Sequence, residues 1–266
     1  AKVKLPPYIV DTPRMREDFS DYLAEITYYD SQVGEIVGLL DRHGLADNTL
    51  VMVVSEQGNG FPFAKWTCYD HGLQSAMVVR WPGKVKAGAV TDVTPTFIDA
   101  ASGKAVNGLD GKSFLPVLRG ETQTHKQHVF GIMTTRGIIN GTDAFAIRSV
   151  RGMRYKLILN LNHESKFTNA CTKSPAFKSM VAKAATGDAT AKRLVHNYHH
   201  RPAVELFDLK NDPLEMSNLA GQTDLKKVQI NLRAKLEAWM KAQGDEGVVT
   251  ELKSKERQGR GKPKKK

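Results

Sequence analysis

Asn48–Trp66 reads NTLVMVVSEQGNGFPFAKW, an apolar β-rich run that stops abruptly in a carboxylate, an amide and two glycines, with a lysine a few residues on. Short runs such as Leu50–Val54 suit strands buried on both faces of a parallel sheet. In open α/β sheets, ligands bind outside the carboxyl ends of the strands, so a polar cluster at such an end is a place to look for chemistry. On spacing alone, a solvated loop with a surface lysine explains the same residues and is the commoner case.

The elements on either side point to α/β architecture. Thr12-Pro13 predicts a helix start, with threonine as N-cap and proline in the first helical position. Phe19, Tyr22, Leu23, Ile26, Tyr29, Val33, Ile36, Val37 and Leu40 then recur at three- and four-residue steps, and Gly44 supplies the stop. A second apolar run, AMVVRW, precedes the Pro82-Gly83 turn, and a helix is expected around Val93–Ala101. Beyond residue 120 the pattern changes. AFAIRSV and RYKLILNL, separated by Arg151-Gly-Met, predict an antiparallel hairpin. Two Ala- and Lys-rich helices, a strand at AVELFDL and a closing amphipathic helix at DLKKVQINLRAKLEAWMKAQG follow. This reads as a smaller α+β domain, with a boundary near 120–127. The expected division is 1–122, 123–250 and a disordered basic tail, 251–266.

Composition narrows the function. The chain of 266 residues is 41% hydrophobic and 25% charged, ordinary for a globular protein that buries a sizeable core. About half of its net charge of +11 sits in the final ELKSKERQGRGKPKKK. The body is only mildly basic and shows no nucleic-acid reading element, so no nucleic-acid partner is expected. No apolar run is long enough to span a bilayer, and no targeting signal or membrane partner is expected. Cys68 and Cys171 stand in unrelated contexts, outside any CxxC, and nothing in their surroundings marks a nucleophile. Ser55 lacks a Gly-x-Ser-x-Gly setting.

The oxygen donors Glu56 and Gln57 suit a hard cation such as Ca²⁺ or Mg²⁺. Gly58 and Gly60 let the backbone turn away from the strand, and Lys65 could bring a positive charge toward a metal-held anion. His71, in YDHGL, is a weaker candidate for touching substrate, since a lone histidine is more often structural. His199-His200 only superficially resembles a ligand pair, because neighbours on a strand face opposite ways.

Several stretches in order carry a family resemblance: YLAEITYYDSQVGEIVGLLDRHGLADNTLVMVVSEQG (22–58), MVVRWPGKVKAG (77–88), LDGKSFLPVLRG (109–120), RYKLILNL (154–161) and ELFDLKNDPLEMSNLA (205–220). They resemble the C-terminal part of type I, formylglycine-dependent sulfatases. FPFAKW is similar to the heparan N-sulfatase-like branch of that family, within the broader arylsulfatase group. The resemblance implies part of an alkaline-phosphatase-like α/β core, followed by a smaller α+β domain with an antiparallel sheet. It also implies Ca²⁺ beneath a sulfate, a sulfated sugar or polysaccharide as substrate, and a periplasmic or secreted location. Residue by residue, Glu56 matches the metal-ligating aspartate, Gln57 the metal-ligating asparagine, and Lys65 the basic residue contacting the sulfate. Both metal matches are one methylene longer than the family residues, so the backbone stands farther back or the ion shifts. Neither cysteine has the Cys-x-Pro-Ser-Arg setting of the nucleophile that becomes formylglycine. The chain is therefore expected to be a fragment whose nucleophile lies upstream, inactive by itself. The alternatives are a non-catalytic module that binds sulfated polysaccharide, and a phosphatase or phosphonate hydrolase of the same superfold.

Overall fold

The computed structural model describes residues 3–84, 92–104, 107, 111–135 and 141–257. The chain divides into two compact units, one of Ala1–Asp21, Gly58–Gln74 and His128–Lys266, the other of Tyr22–Gln57 and Ser75–Gln127.

Helix α1 runs Pro13–Arg42. Thr12 Oγ1 accepts the Met15 N–H at 3.1 Å, as an N-cap should. The other end closes in a Schellman motif: Leu45 N–H reaches Leu40 C=O at 2.9 Å and Gly44 N–H reaches Asp41 C=O at 3.2 Å, with Gly44 at φ 66°. The predicted apolar stripe is present but mostly uncovered. Met15 is the helix's one buried residue, while Leu23, Ile26, Tyr29 and Ile36 are 40–58% exposed.

In the second unit, β1 (Val51–Val54) and β2 (Met77–Arg80) form a two-stranded sheet that is antiparallel, with Val51 opposite Arg80 and Val54 opposite Met77. The parallel arrangement expected from the apolar run is corrected here. A parallel neighbour needs a crossover that returns the chain to the strand's starting end, whereas here β2 begins where β1 finishes. Ser55 N–H donates to Ala76 C=O at 2.9 Å and Ala76 N–H to Ser55 Oγ at 2.7 Å, which closes the neck. The unit's core is Phe114, Leu115 and Leu118, the last two in α4 (Leu115–Leu118), packed by Met52, Met77, Val79 and Trp81. Thr96, in α3 (Val93–Ala100), accepts the Phe114 N–H at 3.0 Å and ties these segments together.

The first unit is built on a four-stranded antiparallel sheet in the order β3 (Val129–Met133), β4 (Ile147–Arg151), β5 (Tyr155–Asn160), β6 (Val204–Asp208). The β4–β5 hairpin turns at the predicted Arg151-Gly-Met. Strand alternation gives the sheet two different faces. Val150, Leu157, Leu159 and Leu206 face α7 (Lys226–Ala242), where Leu232 and Leu236 complete a core and Trp239 stacks on Phe130 at 4.8 Å. The opposite face carries Ser149, Lys156, Ile158, Asn160, Glu205 and Phe207, all buried. Between β5 and β6 lie α5 (Pro175–Ala185) and α6 (Ala189–His199), capped by Ser174 and Asp188. After α7, the short helices α8 (Val248–Leu252) and α9 (Ser254–Arg257) occupy the start of the segment expected as a tail; 258–266 lie outside the described residues. Among the described residues no helix is long and apolar enough to cross a membrane.

Candidate active site

The segment 58–74 is held on the polar face of the four-stranded sheet by charges that strand alternation places there. Lys156 is wholly buried, and its Nζ lies 2.8 Å from Asp70 Oδ1 and 2.9 Å from Glu215 Oε1. The second contact is an ion pair without a well-directed hydrogen bond. Arg151 Nε donates to Asp70 Oδ2 at 3.0 Å, and the Asp70 backbone N–H donates to Glu215 Oε2. One residue earlier, Tyr69 O–H donates to Glu205 Oε2 at 2.7 Å, and Asn160 Nδ2 donates to Glu205 Oε1 at 2.7 Å. The Tyr69-Asp70 turn, at the start of α2 (Asp70–Leu73), is thus clamped by three strands.

The electrostatics of this clamp follow from burial. Burial pushes the Glu215 carboxyl up to about 7, with the neighbouring Asp70 adding to the rise and Lys156 opposing it. Asp70 is also raised by burial, but Lys156 and Arg151 outweigh that and hold it below the usual range. Burial is the leading influence on Glu205 as well and raises it.

Upstream of the clamp, the segment folds into a tight knot that fixes the backbone of Lys65. Gly58 has φ 54°, and a Cβ there would lie 2.6 Å from His71 O and 3.1 Å from Lys65 N. Only glycine fits this approach. At Gly72 a Cβ would lie 2.3 Å from Ala64 O. Gly60, expected to serve like Gly58, has open space around it and no left-handed φ. Asn59 accepts the Phe61 N–H on its side chain and the Lys65 N–H on its carbonyl. Phe63 and Trp66 flank the Ala64-Lys65 pair in left-handed conformations, φ 63° and 66°. Such residues persist only where surrounding packing over-determines them. Here Phe63 packs edge-on to Tyr198 at 5.1 Å, and Phe61 packs against Phe19 at 5.4 Å.

Of the predicted site residues, Lys65 and His71 share this knot, whereas Glu56 and Gln57 belong to the other unit, exposed just past the end of β1. His71 stacks on Tyr8 at 4.3 Å, and its Nε2 lies 3.3 Å from Leu214 O. Burial lowers its pKa, so it is neutral at neutral pH and Nε2 carries the proton donated to that carbonyl. With Arg193, Asn197 and Glu215, it borders a cavity of about 220 Å³ within the first unit. Glu56 and Gln57 offer one carboxylate and one amide oxygen, which suit Ca²⁺ in kind. They are part of the roughly six to eight oxygens that ion takes. Among the described residues no group of three or more His, Cys, Asp or Glu side chains forms a metal cluster, and the adjacent His199 and His200 make none. Cys68 and Cys171 are buried free thiols, which burial pushes up to about 11 and about 12.

The clamp was not read from the sequence, although two signals for it exist. Lys156 in RYKLILNL and Glu205 in AVELFDL stand mid-strand in apolar runs, and a charge there needs a buried partner.

A mixed α/β frame with an antiparallel C-terminal sheet, carrying a glycine-locked basic loop, is the later part of the alkaline-phosphatase-like sulfatase fold. The chain belongs to the sulfatase family. Residues 6–104 match the sulfatase family model, and residues 58–169 match the model described as N-sulphoglucosamine sulphohydrolase, C-terminal. Over 231 residues the chain is 34% identical to an ulvan-active sulfatase of Formosa agariphila, covering 84% of this chain and 43% of that protein. It is 29% identical over 259 residues to the N-sulphoglucosamine sulphohydrolase of Homo sapiens, covering 89% and 50%. A solved structure in complex with its substrate D-glucosamine-2-N,6-O-disulfate has the same fold, with a TM-score of 0.62 at 23% identity over 85% of this chain and 41% of that one. The chain thus spans half or less of the length of these curated relatives.

Proposed function

We propose that the protein carrying this chain is a sulfuric ester hydrolase acting on sulfated carbohydrate, and that this chain contributes its sulfate-binding lysine and two of its metal ligands. The supporting observation is the family itself. Sequence relatives named for ulvan and for N-sulphoglucosamine align over 84% and 89% of these 266 residues. Lys65 is proposed to contact the sulfate, with its ammonium neutralising charge that builds on the sulfate oxygens as the ester bond breaks. The knot around Gly58 and Gly72 supports this role, because a positioned charge acts at the transition state without first having to reorganise. Glu56 and Gln57 are proposed as Ca²⁺ ligands, and the bound ion would supply Lewis-acid stabilisation of the same oxygens. His71 is proposed as a weaker contact to the sugar, consistent with its place on the wall of the 220 Å³ cavity. The attacking group would come from a formylglycine outside these residues, since no Cys-x-Pro-Ser-Arg occurs among them. The same reading has the protein work in the periplasm or as a secreted enzyme.

The test is turnover by the full-length protein encoded at the locus. Lys65→Ala should lower kcat for release of sulfate from a sulfated oligosaccharide by about 10²- to 10³-fold, the usual loss for one donor aimed at developing charge. Unchanged kcat would remove Lys65 from the chemistry. The 266-residue chain by itself should release no sulfate.

A further inference from the structure

Helix α6 concentrates positive charge on a surface remote in sequence from the loop that bears Lys65. Its inward positions, Ala191, Leu194 and Tyr198, are buried. The positions between them supply Lys192, Arg193, His196 and His199, which together with His200 and Lys166 line an open groove of about 610 Å³. No carboxylate lines it among the described residues. The nearby Asp188 is engaged elsewhere, capping α6 through the Ala191 N–H at 2.8 Å and lying 3.6 Å from Lys183.

Helix energetics do not account for this arrangement. Lys192 and Arg193 stand in the first half of the helix, away from the carboxyl end where cations are favourable. The rings of His196 and His200 stack at 5.0 Å, and His199 Nδ1 lies 2.8 Å from Phe167 O, so the imidazoles are held close together. A polyanion laid along the groove would offset the accumulated charge.

We infer that this groove, which shares Arg193 and Asn197 with the cavity that His71 borders, is a further binding surface for the sulfated polysaccharide, and that it holds the chain of the polymer while hydrolysis proceeds elsewhere. A single-stranded nucleic acid fits less well, because such sites stack bases on aromatic rings and among the described residues no Phe, Tyr or Trp lines the groove. The choice of a sulfated carbohydrate rests on the sulfatase reading above; the basic groove itself does not.

The test is titration of the 266-residue chain with a heparin oligosaccharide at several salt concentrations. The triple variant Lys166→Ser, Lys192→Ser, Arg193→Ser should weaken binding by about tenfold and flatten its salt dependence, since three exposed cations each contribute modestly and all are screened. Circular dichroism should show the triple variant folded. The single variant Lys192→Ser, with less to disturb, should weaken binding by about twofold. A tail variant, Lys264→Ser, Lys265→Ser, Lys266→Ser, should leave most of the affinity in place. Unchanged binding in the triple variant, loss confined to the tail variant, or competition by single-stranded DNA equal to that by heparin would each overturn the inference. Failure of the full-length protein to release sulfate, with groove binding intact, would instead count against the proposed function.

Discussion

Replacing Lys156 with methionine removes the one ammonium between Asp70 and Glu215, and the cost can be worked from the clamp. Its two contacts, at 2.8 Å and 2.9 Å, each correspond to a gross attraction of about 6 kcal/mol at an effective dielectric of ~20. Desolvation offsets most of this, and breaking a buried pair from one side costs about 3–5 kcal/mol net. The loss should depend on pH, because Glu215 can escape by taking up a proton. Burial holds its carboxyl up at about 7 in the folded state, against an ordinary 4.5, so between those values the folded state holds a proton that the unfolded chain releases. Wild-type stability should therefore fall as pH rises from 4.5 toward 7 and level off above. Without Lys156 the folded value rises further, and stability keeps falling. The destabilisation by Lys156→Met should thus be larger at about pH 8 than at about pH 5.5, by on the order of 1 kcal/mol. Urea unfolding followed by far-UV circular dichroism at both pH values measures it. A loss below about 1 kcal/mol, or one equal at the two pH values, would refute the clamp as described.

Two further perturbations probe the same unit. Gly58→Ala places a methyl 2.6 Å from the His71 carbonyl at φ 54°, so it should cost about 2–3 kcal/mol and speed amide exchange across 58–74; native-like exchange there would contradict the knot. Cys68 and Cys171, held at about 11 and about 12 by burial, should resist iodoacetamide in the native chain and react readily in urea; rapid native labelling of either would show its pocket to be open.

The elements legible in the sequence are those whose signals are local. The Thr12-Pro13 start, the Gly44 stop, the Arg151-Gly-Met turn and the period-2 strands around it depend on neighbours a few residues away. Pairing direction at β1 and β2 was not legible, because a short apolar run reads the same in either orientation and only the route of Ser55–Ala76 decides it. The apolar stripe of α1 was legible as a pattern, but its burial was not, since periodicity does not say what covers a face. For the site, Lys65, Glu56 and Gln57 were singled out by residue type and family position. The Asp70, Lys156, Glu205 and Glu215 clamp was missed because its members are up to 145 residues apart in the chain. Charges in mid-strand announced that partners must exist, without saying which.

The central claim is that this chain serves the hydrolysis of sulfate esters on carbohydrate. It is tested most directly by incubating the full-length protein with sulfated and phosphorylated forms of one oligosaccharide, side by side, and measuring the inorganic anion released with and without a Ca²⁺ chelator. Sulfate release that chelation abolishes, with little phosphate release, is the expected result. Preferential release of phosphate, or sulfate release indifferent to chelation, would contradict it.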